Sequence, residues 1–290
     1  MKIICDNQRG EQIAFGDFAP FWLLSVEGLG SEFNVYTSKS SGQDGENFNG
    51  SDTGKRNLVL SLEVKRGDFA EQSERLYRFF QKGAPGTCYC DRDFGTVKKI
   101  EYYVEKVQPD NETFSPGGNN PGETRVITVS LLCPDPKFYA VEDELTQLAV
   151  WQGYIQFPLQ LHVPFTVTRK INNLIGNVHN DGTVPMGLTV RFTASGTVVN
   201  PSLYDINRHE LMQINSTMHS GDIILVTTGE NNKRVKLITG GITSNINNRM
   251  AYPPCWLKAY EGDNLFRYNA DSGIDSLSVS ILSTPAYWGA

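Results

Sequence analysis

The sequence lacks the long apolar runs that a membrane protein would need. No stretch approaches the roughly 20 apolar residues of a membrane span. The first residues, MKIICDNQRGEQIAFG, reach charged residues and glycine before an apolar run as long as that of a signal peptide. We therefore expect a protein that is made in a cytoplasm and has no contact with a membrane.

Basic charge is also scarce. The chain has 26 Lys and Arg against 32 Asp and Glu, which gives a formal net charge of -6 and a pI of about 5.3. The basic runs are short, as in Lys98-Lys99 and Lys233-Arg234, and we interpret them as solvated faces. Because neutralising phosphates requires clustered Lys and Arg, this composition argues against a nucleic-acid-binding protein.

Cysteines are few and odd in number, with five in 290 residues. This count does not suggest a disulfide framework, so reduced thiols are expected. Cys88 and Cys90 share a face of a predicted strand and could give two thiolates to zinc. The four histidines are distant in sequence, however, so a pair of small buried residues is the favoured interpretation. The sequence predicts no metal and no cofactor.

The motifs of common enzymes are absent as well. The chain contains no Gly-x-Ser-x-Gly elbow, no HExxH helix and no P-loop. A carboxylate pair for glycoside hydrolysis could come from Asp222, Asp263, Asp271 and Asp275. Each of them lies in a turn beside Gly or Asn, where Asp is commonly a capping residue. We therefore predict a protein that is not an enzyme.

What is present is the composition of an ordinary globular protein, with 39% hydrophobic and 20% charged residues. The chain is organised around the stretch from Pro20 to Arg66, where an apolar strand leads into a long polar loop. The loop ends in a strand, 58–64, whose alternate residues are Leu or Val. Loops this long are usually disordered, functional or in contact with a partner. We favour contact with a partner.

The rest of the first 140 residues alternates as strands around one helix. Strands are predicted near 2–5, 11–15, 87–90, 100–107 and 125–132, with a turn-rich hairpin tip at 109–123. The helix begins at Asp68, with Glu71 completing a capping box, and is stopped by Gly83 and Pro85.

Residues 134–136, Pro-Asp-Pro, close the first domain. The stretch 140–185 has no clear pattern, and seven short strands follow from residue 185. The predicted fold is mainly β, with a β-sandwich and one flanking helix at 1–140 and a second β-sandwich or jelly roll at 141–290.

Taken in order, several short motifs resemble the distal tail proteins of tailed bacteriophages, the siphophage tail-component family. The resemblance runs almost end to end, and its features are Pro20-Phe21, Val26-Glu27-Gly28-Leu29-Gly30, Ser41-Gly42-Gln43-Asp44-Gly45, Arg56, Glu74-Arg75-Leu76-Tyr77, Cys133-Pro134-Asp135-Pro136, Asn200-Pro201, His219-Ser220-Gly221-Asp222, Lys233-Arg234-Val235, Gly262-Asp263-Asn264 and Pro285-Ala286-Tyr287-Trp288-Gly289-Ala290.

The resemblance implies a homo-hexameric ring between the tail tube and the baseplate or tail tip. The first domain would be tail-tube-like and form the ring, and the second would be galectin-like. The implied partners are the tail tube protein, a tail-associated or baseplate hub protein and, as a further candidate, a receptor-binding protein. The implied location is the virion tail, assembled in the host cytoplasm, and contractile tails and bacteriocins remain open.

For the contacts between subunits, the resemblance and expected exposure indicate Gln43, Asp44, Gly45 and Arg56. A local role in a tight turn is the alternative. On the first interpretation, Arg56→Glu hinders ring assembly and leaves the monomer folded. Six copies carry a charge of -36, so DNA would pass through the ring without specific binding.

A tail-associated carbohydrate-binding adhesin is the alternative function. Sugars stack on exposed aromatic rings beside polar groups, and the candidates are Trp151, Tyr252, Trp256 and Tyr260. The competing interpretation is that these rings fill the core or an interface. An exposed Trp151 or Trp256 would favour sugar binding.

Overall fold

The computed structural model describes residues 1–65, 68–92, 96–109, 124–153, 168–172 and 174–290. The chain divides into two compact units, one of residues 1–141 with 287–290 and one of residues 142–286. The last four residues therefore belong to the first unit, whereas the sequence had assigned them to the second domain. In the described part of the chain, no helix is long and apolar enough to cross a membrane.

The first unit contains one α-helix and ten strands in its first 141 residues, as far as the described residues go. They are β1 (Lys2–Asn7), β2 (Gln12–Phe15), β3 (Trp22–Glu27), β4 (Asn34–Ser38), β5 (Asn47–Asp52), β6 (Arg56–Lys65), α1 (Phe69–Phe79), β7 (Pro85–Asp91), β8 (Lys98–Pro109), β9 (Thr124–Cys133) and β10 (Phe138–Ala140).

The main sheet of the first unit is antiparallel. Its strands run in the order β2-β1-β7-β8-β9-β6-β3, and β10 pairs beside β8. β6 fixes the core because its alternate residues all point inward, and the side chains of Leu58, Leu60, Leu62 and Val64 are fully buried. The predicted one-sided strand at 58–64 is confirmed.

Helix α1 covers this core with an apolar face formed by Phe69, Leu76 and Phe79, as its residue spacing predicts. The ion pair between Arg78 and Glu74 lies on the exposed side. Asp68 occupies the N-cap position but makes no side-chain cap hydrogen bond. The predicted capping box is therefore wrong, and burial of the apolar face is the main source of stability for this helix.

The second unit is built from many short strands. They are β11 (Glu144–Gln147), β12 (Ala149–Gly153), β13 (Thr168–Asn172), β14 (Ile175–Asn180), β15 (Met186–Ala194), β16 (Val198–Val199), β17 (Ser202–Asp205), β18 (Glu210–Gln213), β19 (Thr217–Met218), β20 (Ile223–Gly229), β21 (Asn232–Thr239), β22 (Ile242–Asn245), β23 (Lys258–Ala259), β24 (Gly262–Asn269), β25 (Leu277–Ser283) and β26 (Ala286–Tyr287), the last of which spans the boundary of the units. Two 3-10 helices lie at Asn247–Arg249 and Ile274–Ser276.

The two larger sheets of the second unit are antiparallel, in the orders β11-β25-β15-β20-β21-β22 and β14-β24-β17-β18, with β23 paired to β15. The pairs β12-β13 and β16-β19 form two smaller sheets. Inward residues of the two larger sheets, such as Phe192 on β15 and Phe266 on β24, belong to one buried cluster. This arrangement is a β-sandwich.

Two parts of the chain differ from the sequence interpretation. The long polar loop contains the paired strands β4 and β5, and the stretch 140–185 contains β11 to β14. Most of the expected hairpin tip, residues 110–123, lies outside the described residues.

Candidate assembly surface

Strands β4 and β5 form a hairpin that we call the arm (residues 34–52). The two strands pair from Asn34 opposite Asp52 to Ser38 opposite Asn47, and in the described part of the chain they form a sheet of their own. Every residue of β4 is exposed. An isolated two-stranded hairpin is marginally stable in water, and among the described residues no further strand joins the sheet of the arm.

One face of the arm is polar. Asn34 Nδ2 and the Tyr36 hydroxyl each donate to the carboxylate of Asp52, at 3.0 Å. The hydrogen bond from Tyr36 to Asp52 and the charge of Asp52 raise the pKa of Tyr36 above its ordinary value. The contacts hold the two strands together without help from the body of the unit.

The opposite face of the arm is apolar at two positions. Phe48 lies opposite Thr37, and because side chains alternate along a strand, Val35 shares this face. The exposed fractions are 61% for Val35 and 68% for Phe48. The single chain therefore leaves these two side chains uncovered.

The turn of the arm holds the predicted contact residues 43–45. The Gln43 backbone N–H donates to Ser40 O at 3.2 Å, and its side chain donates to Asn47 Oδ1 at 3.2 Å. Gly45 has a φ of +83°, which few other residues adopt without strain. Asp44 and Gly45 are exposed. The local turn role accounts for Gln43 and Gly45, and a role in subunit contact stays a prediction.

Arg56 lies at the first position of β6 and has an exposed fraction of 7%. Its guanidinium donates to four carbonyl oxygens, with Nε to Pro136 at 2.7 Å, Nη1 to Gly28 at 2.6 Å and to Gly30, and Nη2 to Trp288 at 2.5 Å. The premise that Arg56 is exposed for a neighbouring subunit is therefore wrong. Its donors are used inside its own unit.

The environment of Arg56 is unusual because the hydrogen-bond acceptors are all neutral. Burial lowers the pKa of Arg56, although a guanidinium stays charged at any physiological pH. The Phe138 ring adds a cation-π contact, with Arg56 Cζ 4.9 Å from its centroid. Arg56 cross-links several distant chain segments. These links are strong, because hydrogen bonds from a charged donor are roughly twice as strong as neutral ones.

Residues 287–290, which we call the tail, are held by cations. Arg56 donates to the Trp288 carbonyl, Lys98 Nζ to the Gly289 carbonyl at 2.8 Å, and Arg92 Nη1 to the Ala290 carbonyl at 2.8 Å. Three successive carbonyls thus accept from three cationic side chains. The interpretation of Lys98 as part of a solvated face is wrong.

The tail also contacts the chain that leads into the arm. The ring of Trp288 lies edge-on to that of Phe33, with centroids 5.4 Å apart and an interplanar angle of 79°. The Ala290 N–H donates to Leu29 O at 3.1 Å. Sequence analysis missed this packing, although two aromatic residues beside the last glycine were a signal for a buried segment.

Comparison with solved structures identifies a similar fold. The Dit protein of phage SPP1, described as a paradigm of the hub adsorption apparatus in phages that infect Gram-positive bacteria, superposes with a TM-score of 0.66 and 12% identity, over 98% of each chain. The chain has the Dit fold. The predicted resemblance to distal tail proteins and the mainly β sandwich architecture are confirmed at the level of the fold.

Two baseplate structures of phage p2 in the activated conformation also align with this Dit fold. The structure with Ca gives a TM-score of 0.48 and 8% identity, covering 98% of this chain and 97% of the other. The structure with Sr gives 0.45 and 9%, covering 97% of both chains. No protein-family model and no curated protein sequence matches the chain.

Four cysteines are buried in the first unit of this Dit fold, at positions 5, 88, 90 and 133. Cys88 Sγ lies 4.0 Å from Cys90 Sγ, and Cys5 is opposite Cys88 in the sheet. Hydrogen bonding with Cys5 raises the pKa of Cys88, and hydrogen bonding with Cys88 raises that of Cys90. Within the described ranges, no three His, Cys, Asp or Glu residues gather as metal ligands. These thiols act as small core residues.

The predicted sugar-binding aromatics occupy different environments. Tyr252 has an exposed fraction of 95%. Trp256 is partly buried against the core of the second unit, and Arg208 stacks on Tyr260 with Cζ 3.4 Å from the ring centroid. The side chain of Trp151 lies outside the described residues. Sugar binding stays a prediction, and Tyr252 is the candidate that presents a free ring.

Three of the aspartates considered for glycoside hydrolysis have structural roles in the second unit. Asp222 accepts from the His219 N–H at 2.8 Å, and Asp271 accepts from Asn200 Nδ2 at 2.7 Å. Asp275 lies in the first turn of the 3-10 helix Ile274–Ser276. The Asp222 contact is that of a residue that caps a turn, whereas the Asp271 contact joins positions that are 71 residues apart.

Asp263 belongs to a charged cluster with His179. His179 Nδ1 lies 2.6 Å from Asp263 and Nε2 lies 2.9 Å from Asp181, and Asn177 also donates to Asp263. The hydrogen bond to Asp263 is the main cause of the raised pKa of His179. Hydrogen bonds from Asn177 and His179 hold the pKa of Asp263 below its ordinary value. The cluster joins β14 to β24 through charge.

Proposed function

We propose that this chain is a structural, non-enzymatic component of a phage or phage-derived tail, built into a homo-hexameric ring between the tail tube and the baseplate or tail tip. The proposed partners are the tail tube protein, a baseplate hub protein and, at the periphery, a receptor-binding protein. The proposed location is the virion tail, assembled in the host cytoplasm. Support comes from the fold shared with the Dit protein of SPP1.

The observation that carries this proposal is the uncovered apolar face of the arm. Val35 and Phe48 lie on a hairpin that forms its own sheet in the described part of the chain. Burying a Phe side chain contributes about 1.5–3 kcal/mol. A neighbouring copy that covers this face would supply both that energy and a second layer for the hairpin.

We propose that the contact is asymmetric, with the arm of one copy seated on a different part of its neighbour. Contacts of this heterologous kind repeat head to tail, and they close into a ring when the rotation between copies permits. Six copies, the number that the resemblance implies, carry a formal charge of -36. This charge favours a channel that passes DNA without binding it.

Native mass spectrometry and negative-stain imaging of the purified chain test the proposal. We expect a sixfold annulus for the wild type and a shift toward monomers for Phe48→Asp. Losing the contact of the Phe48 side chain alone lowers the association constant of each interface by about 10- to 100-fold. Ile242→Asp is the matched control, because Ile242 has an exposed fraction of 76% and lies in the second unit.

Two outcomes would contradict the proposal. The first is a Phe48→Asp protein that forms the same hexamer as the Ile242→Asp protein. The second is a wild-type chain that stays monomeric at high concentration and in the presence of tail tube and baseplate proteins.

A carbohydrate-binding adhesin is the second candidate function, and the exposure of Tyr252 favours it. An aromatic ring free on both faces is the usual platform for stacking a sugar. Binding of the wild type to a glycan array or to host cell walls, lost in Tyr252→Ala, would support this function. Equal binding by both proteins, or none by the wild type, would remove it.

A further inference from the structure

The two ends of the arm meet at one side chain. The segment 28–33 leads into β4, and the segment 53–55 leads from β5 to Arg56. Arg56 donates to the carbonyls of Gly28 and Gly30 in the first segment. In sequence, Arg56 directly follows the second segment. A polar cavity of about 210 Å³ is lined by residues of both segments. The two segments are therefore linked at Arg56 and leave a gap beside it.

The tail crosses the first of these segments at two points. Trp288 packs edge-on against Phe33, the residue that immediately precedes β4, and the Ala290 N–H binds Leu29 O. Arg56 binds the Trp288 carbonyl with the same guanidinium that holds Gly28 and Gly30. One group thus fixes the base of the arm and the tail together.

The tail is itself anchored to the main sheet. Lys98 on β8 holds Gly289, and the Lys98 ammonium lies 4.1 Å from the centroid of the Tyr287 ring. Arg92, which follows β7, holds Ala290. Tyr287 and Ala290 also pack against the core of the first unit. A contact between the tail and Phe33 therefore ties the arm to rigid strands.

We propose that the tail is a brace that fixes the direction in which the arm leaves the first unit, with Trp288 and Arg56 as positioning residues. In the described residues the arm shares its sheet with no other strand, so contacts at its base set its direction. A fixed direction lowers the entropic cost of placing the apolar face on a neighbour. The effect on assembly rests on the proposed function, whereas the effect on the base of the arm does not.

Hydrogen-deuterium exchange of the full chain tests the brace directly. Trp288→Ala removes the ring contact with Phe33 and keeps the Trp288 carbonyl for Arg56. We expect amide exchange in residues 28–36 to rise about 2- to 10-fold, because losing an edge-to-face aromatic pair of ordinary strength changes an equilibrium by that factor. Arg56→Lys is the second variant, since it keeps the charge but loses the planar fork, and it should raise exchange in the same residues. Ile242→Ala is the control, because it removes an exposed apolar side chain from the second unit.

Native mass spectrometry of the same proteins gives an independent measurement. We expect the concentration needed for half-maximal hexamer to rise with Trp288→Ala and to stay constant with Ile242→Ala. If exchange in residues 28–36 rises in the Trp288→Ala protein but the wild type never forms a hexamer, the brace is supported and the proposed ring is refuted.

Two results would overturn the brace. One is unchanged exchange in residues 28–36 of the Trp288→Ala protein, whatever its oligomeric state. The other is an equal rise in exchange over β6 and β9, which would mean that the tail supports the whole unit and does not position the arm.

Discussion

Removing the side chain of Arg56 tests how the first unit is held together. Arg56→Ala deletes four hydrogen bonds to the carbonyls of Gly28, Gly30, Pro136 and Trp288. Hydrogen bonds from a charged donor contribute about 1.5–3 kcal/mol each. Their simple total overestimates the loss, because burying the guanidinium costs free energy and the adjoining cavity of about 210 Å³ admits water to the freed carbonyls.

We therefore expect Arg56→Ala to lower the free energy of unfolding of the first unit by about 3–5 kcal/mol, because four carbonyls lose their donor and each buried acceptor left unsatisfied costs about 1–3 kcal/mol. For a unit of this size, that loss lowers the melting temperature by roughly 6–20 °C. Arg56→Glu should be at least as damaging, because it places a carboxylate among carbonyl oxygens. This expectation replaces the one drawn from the sequence, that the substitution leaves the monomer folded.

Differential scanning calorimetry of the full chain measures this loss, with hydrogen exchange assigning each transition to a unit. Arg78→Ala is the matched control, because Arg78 forms an exposed ion pair with Glu74 on α1, and such pairs contribute about 0–1 kcal/mol. A loss of stability in Arg56→Ala that equals the loss in Arg78→Ala would refute the reasoning.

Two further predictions concern one glycine and one histidine. Gly28 has a φ of +85°, and a Cβ there would clash with the Asn57 carbonyl, whereas Gly10 has a φ of +76° and open space around it. Both Ala variants should lose about 1–2 kcal/mol from backbone strain, and Gly28→Ala should lose at least about 1 kcal/mol more in urea unfolding; equal losses would contradict the steric argument. The folded-state pKa of His179 is raised above the ordinary value of about 6.5. The contribution of protonated His179 to the stability of the folded state is therefore fully present below a pH of about 6.5 and is lost as the pH rises through the folded pKa. His179→Gln should thus lower the melting temperature of the second unit at pH 5.5 and have a smaller effect at pH 9, and an effect that does not change with pH would count against the charged cluster.

Sequence patterns predicted the elements whose burial repeats along the chain. Leu58, Leu60 and Leu62 alternate because one face of β6 packs on the core, and Leu76 and Phe79 repeat at helical spacing on α1. The longer strands after residue 185, such as β15, β20 and β25, were predictable for the same reason. Periodicity requires a buried face, and it therefore fails where a strand has none.

The arm and the Arg56 contacts could not be predicted in that way. β4 has no buried residue, so its sequence carries no alternation and resembles a polar loop. Arg56 resembles a surface residue because charged side chains are rarely buried. Its carbonyl partners include Trp288, which is 232 positions away. No local pattern records a contact over that distance.

The hydrogen bond from Arg56 to Trp288 also has a consequence for the order of biosynthesis. At about 5–20 residues per second, Trp288 leaves the ribosome roughly 10–50 s after Arg56. During that interval the nascent first unit has its sheet but not its final segment, while the whole second unit is being translated. A messenger that is truncated within the second unit therefore yields chains whose first unit lacks residues 287–290, and we expect the cell to degrade such chains.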